Sequence, residues 1–166
     1  MQYLDEKTRQ LNYKTNSTIK MNTEIYEYAI DDDGLLYTFY SRGRNTTIKV
    51  VVYQKSARNH FNLAFGDYDE LKDEISDISV TNNGDTIKVL GTVIETIQTF
   101  FKSYPYAILD VKGSTANRTK LYQKIIRDNW DKIETEFKIL AFKESDYQPE
   151  LPDFSKEYTA FQIYRK

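Results

Sequence analysis

The sequence predicts a single-domain α/β (α+β) protein with a mixed sheet, in which an antiparallel N-terminal meander precedes a βαβ-type C-terminal half. Residues 25–65 contain short alternating or β-branched runs that are separated by turns such as Asp-Asp-Asp-Gly, which is typical of antiparallel strands. From residue 85 onward the apolar residues recur at helical spacing. Apolar runs at 107–111 and 137–142 then flank a second helical segment, which indicates a crossover connection.

The meander is expected to have about four strands. Their predicted ranges are 25–30, 35–41, 46–54 and 60–65. Residues 1–23 are polar and are expected to form a loosely ordered arm or a short strand. The acidic run 66–77 is expected to be a solvated loop, followed by a short strand at 78–80.

Two helices are predicted in the second half of the chain. The first has Asn83 or Asp85 as its N-cap and ends near residue 103, because Pro105 disfavours helix immediately before it. The apolar residues that recur along it at three- and four-residue steps are Leu90, Val93, Ile94, Ile97 and Phe101, with Ile87 and Phe100 beside them. The second helix is expected from Thr115 to about Asn129. Residues 143–156 are then expected to form a polar loop, and 158–164 the last strand.

The composition excludes several classes of site. The 166-residue chain has no cysteine and one histidine, which rules out disulfides, thiolate nucleophiles, cysteine zinc sites and multi-histidine metal sites. No apolar run approaches the ~20 residues that span a bilayer, and the first residues do not resemble a signal peptide, so a cytoplasmic location without membrane contact is expected. A net charge of −2 argues against a dedicated nucleic-acid binder but leaves a local basic patch open.

The strongest candidate site is the turn at residues 113–118, where a strand runs into a helix. Gly113, Ser114, Thr115, Asn117 and Arg118 would place hydroxyl, amide and guanidinium groups at a helix N-terminus, which favours anions. Basic residues continue along the helix as a stripe of Lys120, Lys124 and Arg127. A capped helix with a solvated basic face accounts for the same pattern.

A second candidate site lies in the loop that leads into the first helix. Asn83, Gly84 and Thr86 would let a phosphate group approach the backbone, since glycine leaves the main chain open. Asp85 would repel a phosphate, and an ordinary N-cap turn is the simpler interpretation. We expect both loops at the carboxyl ends of neighbouring strands, where open α/β sheets bind ligands.

Three other features have weaker functional interpretations. His60 could be a general base, although a single histidine at a strand start is more often structural. Tyr122 could be an acid, although its place beside Leu121 also fits a core residue. The acidic run could hold a divalent cation, but it lacks the ligand spacing of a calcium loop.

Four segments occur in an order that resembles a known family. They are residues 62–67 (NLAFGD), 82–93 (NNGDTIKVLGTV), 113–122 (GSTANRTKLY) and 158–161 (YTAF). Together they are similar to a family of small, functionally uncharacterised bacterial proteins of the Bacteroidota type. This resemblance covers most of the chain and implies no known activity.

The order of the predicted elements also resembles the GNAT acetyltransferase fold. That resemblance implies that residues 81–88 cradle the pyrophosphate of CoA or acetyl-CoA, and that Asn117 and Tyr122 match a later pair in which the tyrosine is the general acid. It further implies a gap between strands 107–111 and 137–142, beside Arg118. The loop 81–88 departs from the family signature in its single glycine and in Asp85, and Asn117 stands closer to Tyr122 than in that family.

Two functions therefore remain open. The first is a GNAT-like domain that binds CoA or another small phosphate-bearing ligand, with or without a reaction. The second is a non-enzymatic interaction protein, such as a toxin–antitoxin or phage-defence component, that uses a tyrosine-rich sheet and the basic helix to bind a protein partner. Direct nucleic-acid binding by the basic stripe is a weaker third alternative, which would make the affinity strongly salt-dependent.

Overall fold

The structure is a computed structural model that describes residues 12–13, 24–76, 83–144 and 146–166. The predicted arm at 1–23 therefore lies outside the described residues, apart from the two that form strand β1, Asn12–Tyr13. The predicted strand at 78–80 also lies outside them. The described residues form a mixed sheet and three helices, which confirms the α/β class.

The chain divides into two compact units. The first contains the described residues up to Tyr53 and those from Ala64 to Ser103, and the second contains Gln54–Leu63 and Tyr104–Lys166. The division after Tyr53 falls within strand β4, and the division between Leu63 and Ala64 falls within strand β5, so each of these strands has residues in both units.

The first unit contains the predicted antiparallel meander. Its strands are β1, β2 (Tyr28–Ile30), β3 (Leu36–Arg42), β4 (Thr46–Ala57) as far as Tyr53, β5 (His60–Asp69) from Ala64, and β6 (Glu74–Ser76). The pairs β1–β2, β2–β3, β3–β4 and β5–β6 are all antiparallel, so the meander is confirmed. In the β2–β3 turn, Gly34 has φ +70°, and the Asp31 carboxylate accepts hydrogen bonds from the N–H groups of Leu35 and Leu36.

The acidic run does not form the expected loop. Strand β5 extends to Asp69 and pairs with β6, so that Tyr68 lies opposite Ile75. Asp67 forms an ion pair with Lys49, and the two side chains are only 14% and 7% exposed. A buried charge is tolerated when it is paired in this way, so an acidic residue can occupy a strand here.

Helix α1 (Thr86–Ser103) begins and ends as predicted, but it is buried on nearly all sides. The expected core residues Val93 and Phe100 are buried, as are the polar Glu95 and Gln98, whereas Ile87 is 75% exposed. The apolar spacing identified one packed face, but it could not reveal that polar faces are also covered.

Tyrosines form much of the core of the first unit. Tyr28, Tyr37 and Tyr53 are each at most 3% exposed, and their rings follow one another toward Phe100, which stacks on Tyr53 at 4.2 Å between centroids. The Tyr53 hydroxyl is 2.8 Å from Thr96 Oγ1 on α1. The Tyr28 hydroxyl is likewise 3.0 Å from Thr99 Oγ1. Because all three rings are buried, these residues are not part of a contact surface.

The second unit contains the end of the sheet. Its strands are β7 (Ile108–Val111), β8 (Phe137–Lys143), β9 (Asp146–Glu150) and β10 (Ala160–Arg165). The first residues of β5 pair in parallel with β7, with His60 opposite Ile108. Strand β10 lies between β7 and β8 and is antiparallel to both, so Phe161 faces Val111 on one side and Ala141 on the other. The predicted gap between strands 107–111 and 137–142 is therefore wrong, because β10 fills it.

Two helices follow β7 in the second unit. Helix α2 (Ala116–Asp128) matches the second predicted helix, and the unpredicted α3 (Trp130–Glu136) follows it. At seven residues, α3 is too short for a clear apolar period. Strand β9 lies within the segment 143–156 that was predicted to be a polar loop. Pro149 argued against a strand there, because proline is tolerated in a strand mainly at the edge of a sheet, and β9 is such an edge strand.

Candidate functional site

The loop that leads into α1 is fixed by Asn83. Its side chain is almost fully buried; Oδ1 accepts a hydrogen bond from the Asn45 N–H at 2.7 Å, and Nδ2 donates to Ser41 Oγ at 3.0 Å and to the Asn45 carbonyl at 2.8 Å. Its own carbonyl accepts from the Arg44 N–H at 2.9 Å. Asn83 therefore ties this loop to the β3–β4 turn.

Gly43, in the β3–β4 turn, makes this contact with Asn83 possible. A Cβ atom placed on Gly43 would lie 1.9 Å from the Asn83 carbonyl oxygen. No side chain fits at that distance, so Gly43 is required for the close approach of the two backbones. The Arg-Gly-Arg sequence predicted the turn, but it did not reveal that Asn83 packs against it.

The residues after Asn83 are open. Gly84 has φ +80°, and no atom lies within 4 Å of the position that its Cβ would take. Thr86 is exposed at the start of the helix, and the side chain of Ile87 is 75% exposed. Of the predicted ligand-binding residues of this loop, Gly84 and Thr86 are thus accessible, whereas the side chain of Asn83 is buried.

Asp85 is held by two hydroxyl groups. Its Oδ2 accepts hydrogen bonds of 2.6 Å from Tyr26 and from Ser41, and the Tyr26 oxygen in turn accepts from the Arg42 N–H. Partial burial acts to raise the pKa of Asp85, but the hydrogen bonds from Ser41 and Tyr26, aided by the charge of Lys49, lower it overall. The carboxylate thus remains ionised at neutral pH.

Sequence reasoning did not identify the partners of Asp85. Tyr26 and Ser41 looked like ordinary strand residues, and Lys49 lay within the β-branched run of β4. An acidic residue at the beginning of a predicted helix does suggest a donor nearby, but the identity of that donor depends on contacts that are distant in the chain.

The turn at residues 113–118 belongs to the second unit and is a capped helix start. The Thr115 side chain accepts from the Arg118 N–H at 3.3 Å, and the Gly113 N–H donates to Thr119 Oγ1 at 3.1 Å. A Cβ on Gly113 would lie 2.5 Å from the Thr119 nitrogen. Ser114 and Asn117 are exposed. Local hydrogen bonds therefore account for Gly113 and Thr115 without a ligand.

The basic stripe on α2 is ion-paired. Lys120 Nζ lies 2.8 Å from Glu157, and Lys124 and Arg127 both contact Asp128. Exposed pairs of this kind contribute little stability. They do reduce the positive charge that the stripe would offer to a nucleic acid or an acidic partner.

Tyr122 is half-buried on α2, and its proposed role as an acid stays a prediction. The next residue, Gln123, donates to the Lys156 carbonyl at 2.5 Å and accepts from the Tyr158 N–H at 3.3 Å. This part of α2 therefore anchors the segment that precedes β10.

His60 belongs to a polar array on the second unit. Tyr164 donates to Gln162 at 2.7 Å, and Gln162 donates to Asp110 at 2.8 Å. The other Asp110 oxygen lies 3.6 Å from His60 Nδ1, which is longer than a hydrogen bond. The array orients Asp110 toward His60, an arrangement that a general base would use.

Two absences concern the described residues only. They contain no group of three or more His, Cys, Asp or Glu side chains that could hold a metal ion. Among their helices, none has the length and apolar character needed to span a bilayer.

Comparison with known proteins gives a family but no activity. No curated protein and no solved structure matches the chain. Residues 22–166 match the model of a family of unknown function, DUF6934. This match covers most of the sequence and agrees with the expected resemblance to an uncharacterised family. The chain therefore belongs to the family of unknown function DUF6934.

Proposed function

We propose that this protein binds a small phosphate-bearing ligand, of the class of CoA or acetyl-CoA, at the loop that leads into α1. The observation that carries the proposal is the open space beside Gly84, where no atom lies within 4 Å of the missing Cβ position. A phosphate oxygen could reach the main-chain N–H groups there without meeting a side chain.

The hydrogen bonds of Asn83 support the proposal. Hydrogen bonds hold the Asn83 amide against Ser41 and Asn45, so the backbone at Gly84 does not need to be ordered by the ligand. Binding to a preformed loop avoids an ordering cost, which raises affinity.

Asp85 does not exclude an anion. Its carboxylate accepts hydrogen bonds from the hydroxyl groups of Tyr26 and Ser41. Part of its negative field is therefore compensated within the first unit. The exposed Ile87 on the first turn of α1 adds an apolar contact, which suits a ligand that carries an organic portion next to its phosphate groups.

The chain connectivity is compatible with this site. The chain leaves β5, forms the hairpin with β6, continues through α1 and returns as β7, which is parallel to β5. Helices that connect parallel strands commonly receive phosphate groups at their N-termini. The resemblance to GNAT acetyltransferases points to CoA among such ligands.

Calorimetric titration with CoA, acetyl-CoA and inorganic pyrophosphate tests the proposal. We expect heat of binding with CoA, and a strong loss of affinity in Thr86→Glu, because the new carboxylate lies at the helix N-terminus that would bind the phosphate. A glutamate near a helix N-terminus favours the helix itself, so this variant should fold.

Ser114→Glu is the matched control, because it adds the same charge at the start of α2. The proposal requires that Ser114→Glu bind CoA as the unmodified protein does. If no ligand gives heat, or if Ser114→Glu and not Thr86→Glu removes binding, the α1 loop is not the site.

The alternative of a non-enzymatic interaction protein has less support. Three tyrosines of the sheet are buried in the first unit, and the lysines of the basic helix are ion-paired. Tyr40 of the first unit is 54% exposed and Tyr106 of the second unit is 85% exposed, and each could contribute to such a surface on its own unit.

A further inference from the structure

Asn83 and Gly84 form the single Asn-Gly pair of the sequence. In an unfolded chain this pair is prone to deamidation, because glycine has no side chain to shield its nitrogen or to restrict the backbone. The Gly84 nitrogen attacks the Asn83 Cγ, its proton passes through solvent to the leaving amide, and ammonia departs as a cyclic succinimide forms. Water then opens the ring, and aspartate or isoaspartate replaces the asparagine. The pair is therefore a potential site of spontaneous modification.

In the folded protein the reacting amide is held at both ends. The Asn45 N–H can only donate and the Asn45 carbonyl can only accept, so these two groups fix which end of the Asn83 amide is Oδ1 and which is Nδ2. Nδ2 also donates to Ser41 Oγ at 3.0 Å, and the residue is only 3% exposed. Attack by Gly84 would have to break these hydrogen bonds, so the contact with the β3–β4 turn opposes the reaction.

The product of the reaction does not fit where the amide lies. A carboxylate oxygen in place of Nδ2 has no hydrogen to donate, and it would face the Asn45 carbonyl oxygen, which is 2.8 Å from Nδ2. Ser41 has one hydroxyl hydrogen and already donates it to Asp85 at 2.6 Å, so two carboxylates would compete for it. One buried oxygen would thus have no donor, which is strongly disfavoured. Deamidation would therefore prevent the loop from returning to the turn.

We propose that Asn83 is a gated deamidation site. The hydrogen bonds to Ser41 and Asn45 protect it, local release of the loop from the β3–β4 turn makes it reactive, and the modification then makes the release permanent. Local release means the loss of these contacts while the remainder of the protein stays folded. The inference does not depend on whether the loop binds a phosphate group.

The first test measures the rate of deamidation in mildly alkaline buffer by peptide mass spectrometry of the segment that contains Asn83. We expect the folded protein to react at least about tenfold more slowly than the same chain in urea, because the open form is a minor population. Ser41→Ala should accelerate the reaction of the folded protein at least about fivefold, which is the population change that the loss of one buried hydrogen bond produces.

Ile139→Val is the matched control for global unfolding. Ile139 is 1% exposed and belongs to the second unit, which contains neither Ser41 nor Asn83. The loss of a buried methylene raises the unfolding equilibrium constant, which urea unfolding measures for each variant. The proposal requires that Ile139→Val deamidate at the rate of the unmodified protein.

The second test asks whether the modification prevents the contact. Asn83→Asp carries the product side chain from the outset. The amides of Arg44 and Asn45, which donate to the Asn83 carbonyl and to its Oδ1, should lose their protection from hydrogen exchange. The Gly34 amide, which donates to the Asp31 carbonyl at 3.1 Å in another turn of the same unit, should keep its protection.

Several results would overturn the proposal. If the folded and the urea-unfolded chains deamidated at the same rate, or if Ser41→Ala left the rate unchanged, the contact would not protect Asn83. If the rates of Ser41→Ala and Ile139→Val rose in proportion to their unfolding constants, global unfolding would be the gate. If Asn83→Asp kept slow exchange at Arg44 and Asn45, the modification would not make the release permanent.

Discussion

The Ser41 hydroxyl donates to the Asp85 carboxylate over 2.6 Å and accepts from the Asn83 amide at 3.0 Å. This fully buried serine near the end of β3 thus contacts both Asn83 and Asp85, which precede α1. This connection fixes the loop on which the proposed ligand site depends.

Ser41→Ala should therefore destabilise the protein by about 1–3 kcal/mol, because a buried amide and a carboxylate each lose a partner. Urea unfolding measures the change, and Ser114→Ala is the control. Ser114 is exposed, so its replacement should change the free energy of unfolding by at most about 0.5 kcal/mol. Equal effects of the two substitutions would contradict the role of Ser41.

Gly43→Ala should be more damaging than Gly84→Ala. The new Cβ at position 43 would lie 1.9 Å from the Asn83 carbonyl oxygen, whereas at position 84 it would meet nothing within 4 Å. We expect a loss of about 3 kcal/mol or more for Gly43→Ala, as for other severe backbone conflicts. Gly84→Ala should cost about 1 kcal/mol, because alanine disfavours φ +80°.

Thermal unfolding of the two alanine variants provides the comparison. If Gly43→Ala unfolded at the same temperature as Gly84→Ala, the close contact between the β3–β4 turn and Asn83 would not be a constraint on the fold.

Glu150 should make stability depend on pH in the acid range. Hydrogen bonds from Lys143 and then Tyr158 lower the pKa of Glu150 from 4.5 to about 2. A lowered carboxyl pKa means that folding favours the ionised form. Its contribution is therefore fully present above about pH 4.5 and is lost as the pH falls toward 2.

Unfolding temperatures at several pH values between these limits measure that contribution. Glu150→Gln should reduce the difference between the two ends of the range, whereas Glu144→Gln, which replaces an exposed residue nearby, should not. The interpretation fails if Glu150→Gln retains the full pH dependence of the unmodified protein.

The elements with strong local signals could be predicted from the sequence. The Asp-Gly turn, the β-branched run of β4 and the helical spacing in α1 were sufficient for the meander and for the first helix, whose end Pro105 marks. Strand β9 and helix α3 were missed because they are short and carry proline or many charged residues. The position of β10 between β7 and β8 depends on long-range pairing that no local pattern encodes.

The candidate site was predicted only in part. Gly84 and Thr86 are accessible as expected, but the chemistry of the loop depends on Ser41 and Tyr26, which are 44 and 59 residues from Asp85. Thr115 caps α2 by accepting a hydrogen bond from the Arg118 N–H, so local contacts account for that turn without a ligand. The two loops lie in different compact units, so each was described on its own.

The most direct test of the central claim is an amide chemical-shift titration with CoA. The chain has only six glycines, which makes the Gly84 and Gly113 signals practical to assign. We predict that the amides of Gly84 and Thr86 shift in a saturable manner while those of Gly113 and Ser114 do not. Saturable shifts confined to Gly113 and Ser114, or no shifts at either loop, would contradict the assignment of a phosphate-binding site to the α1 loop.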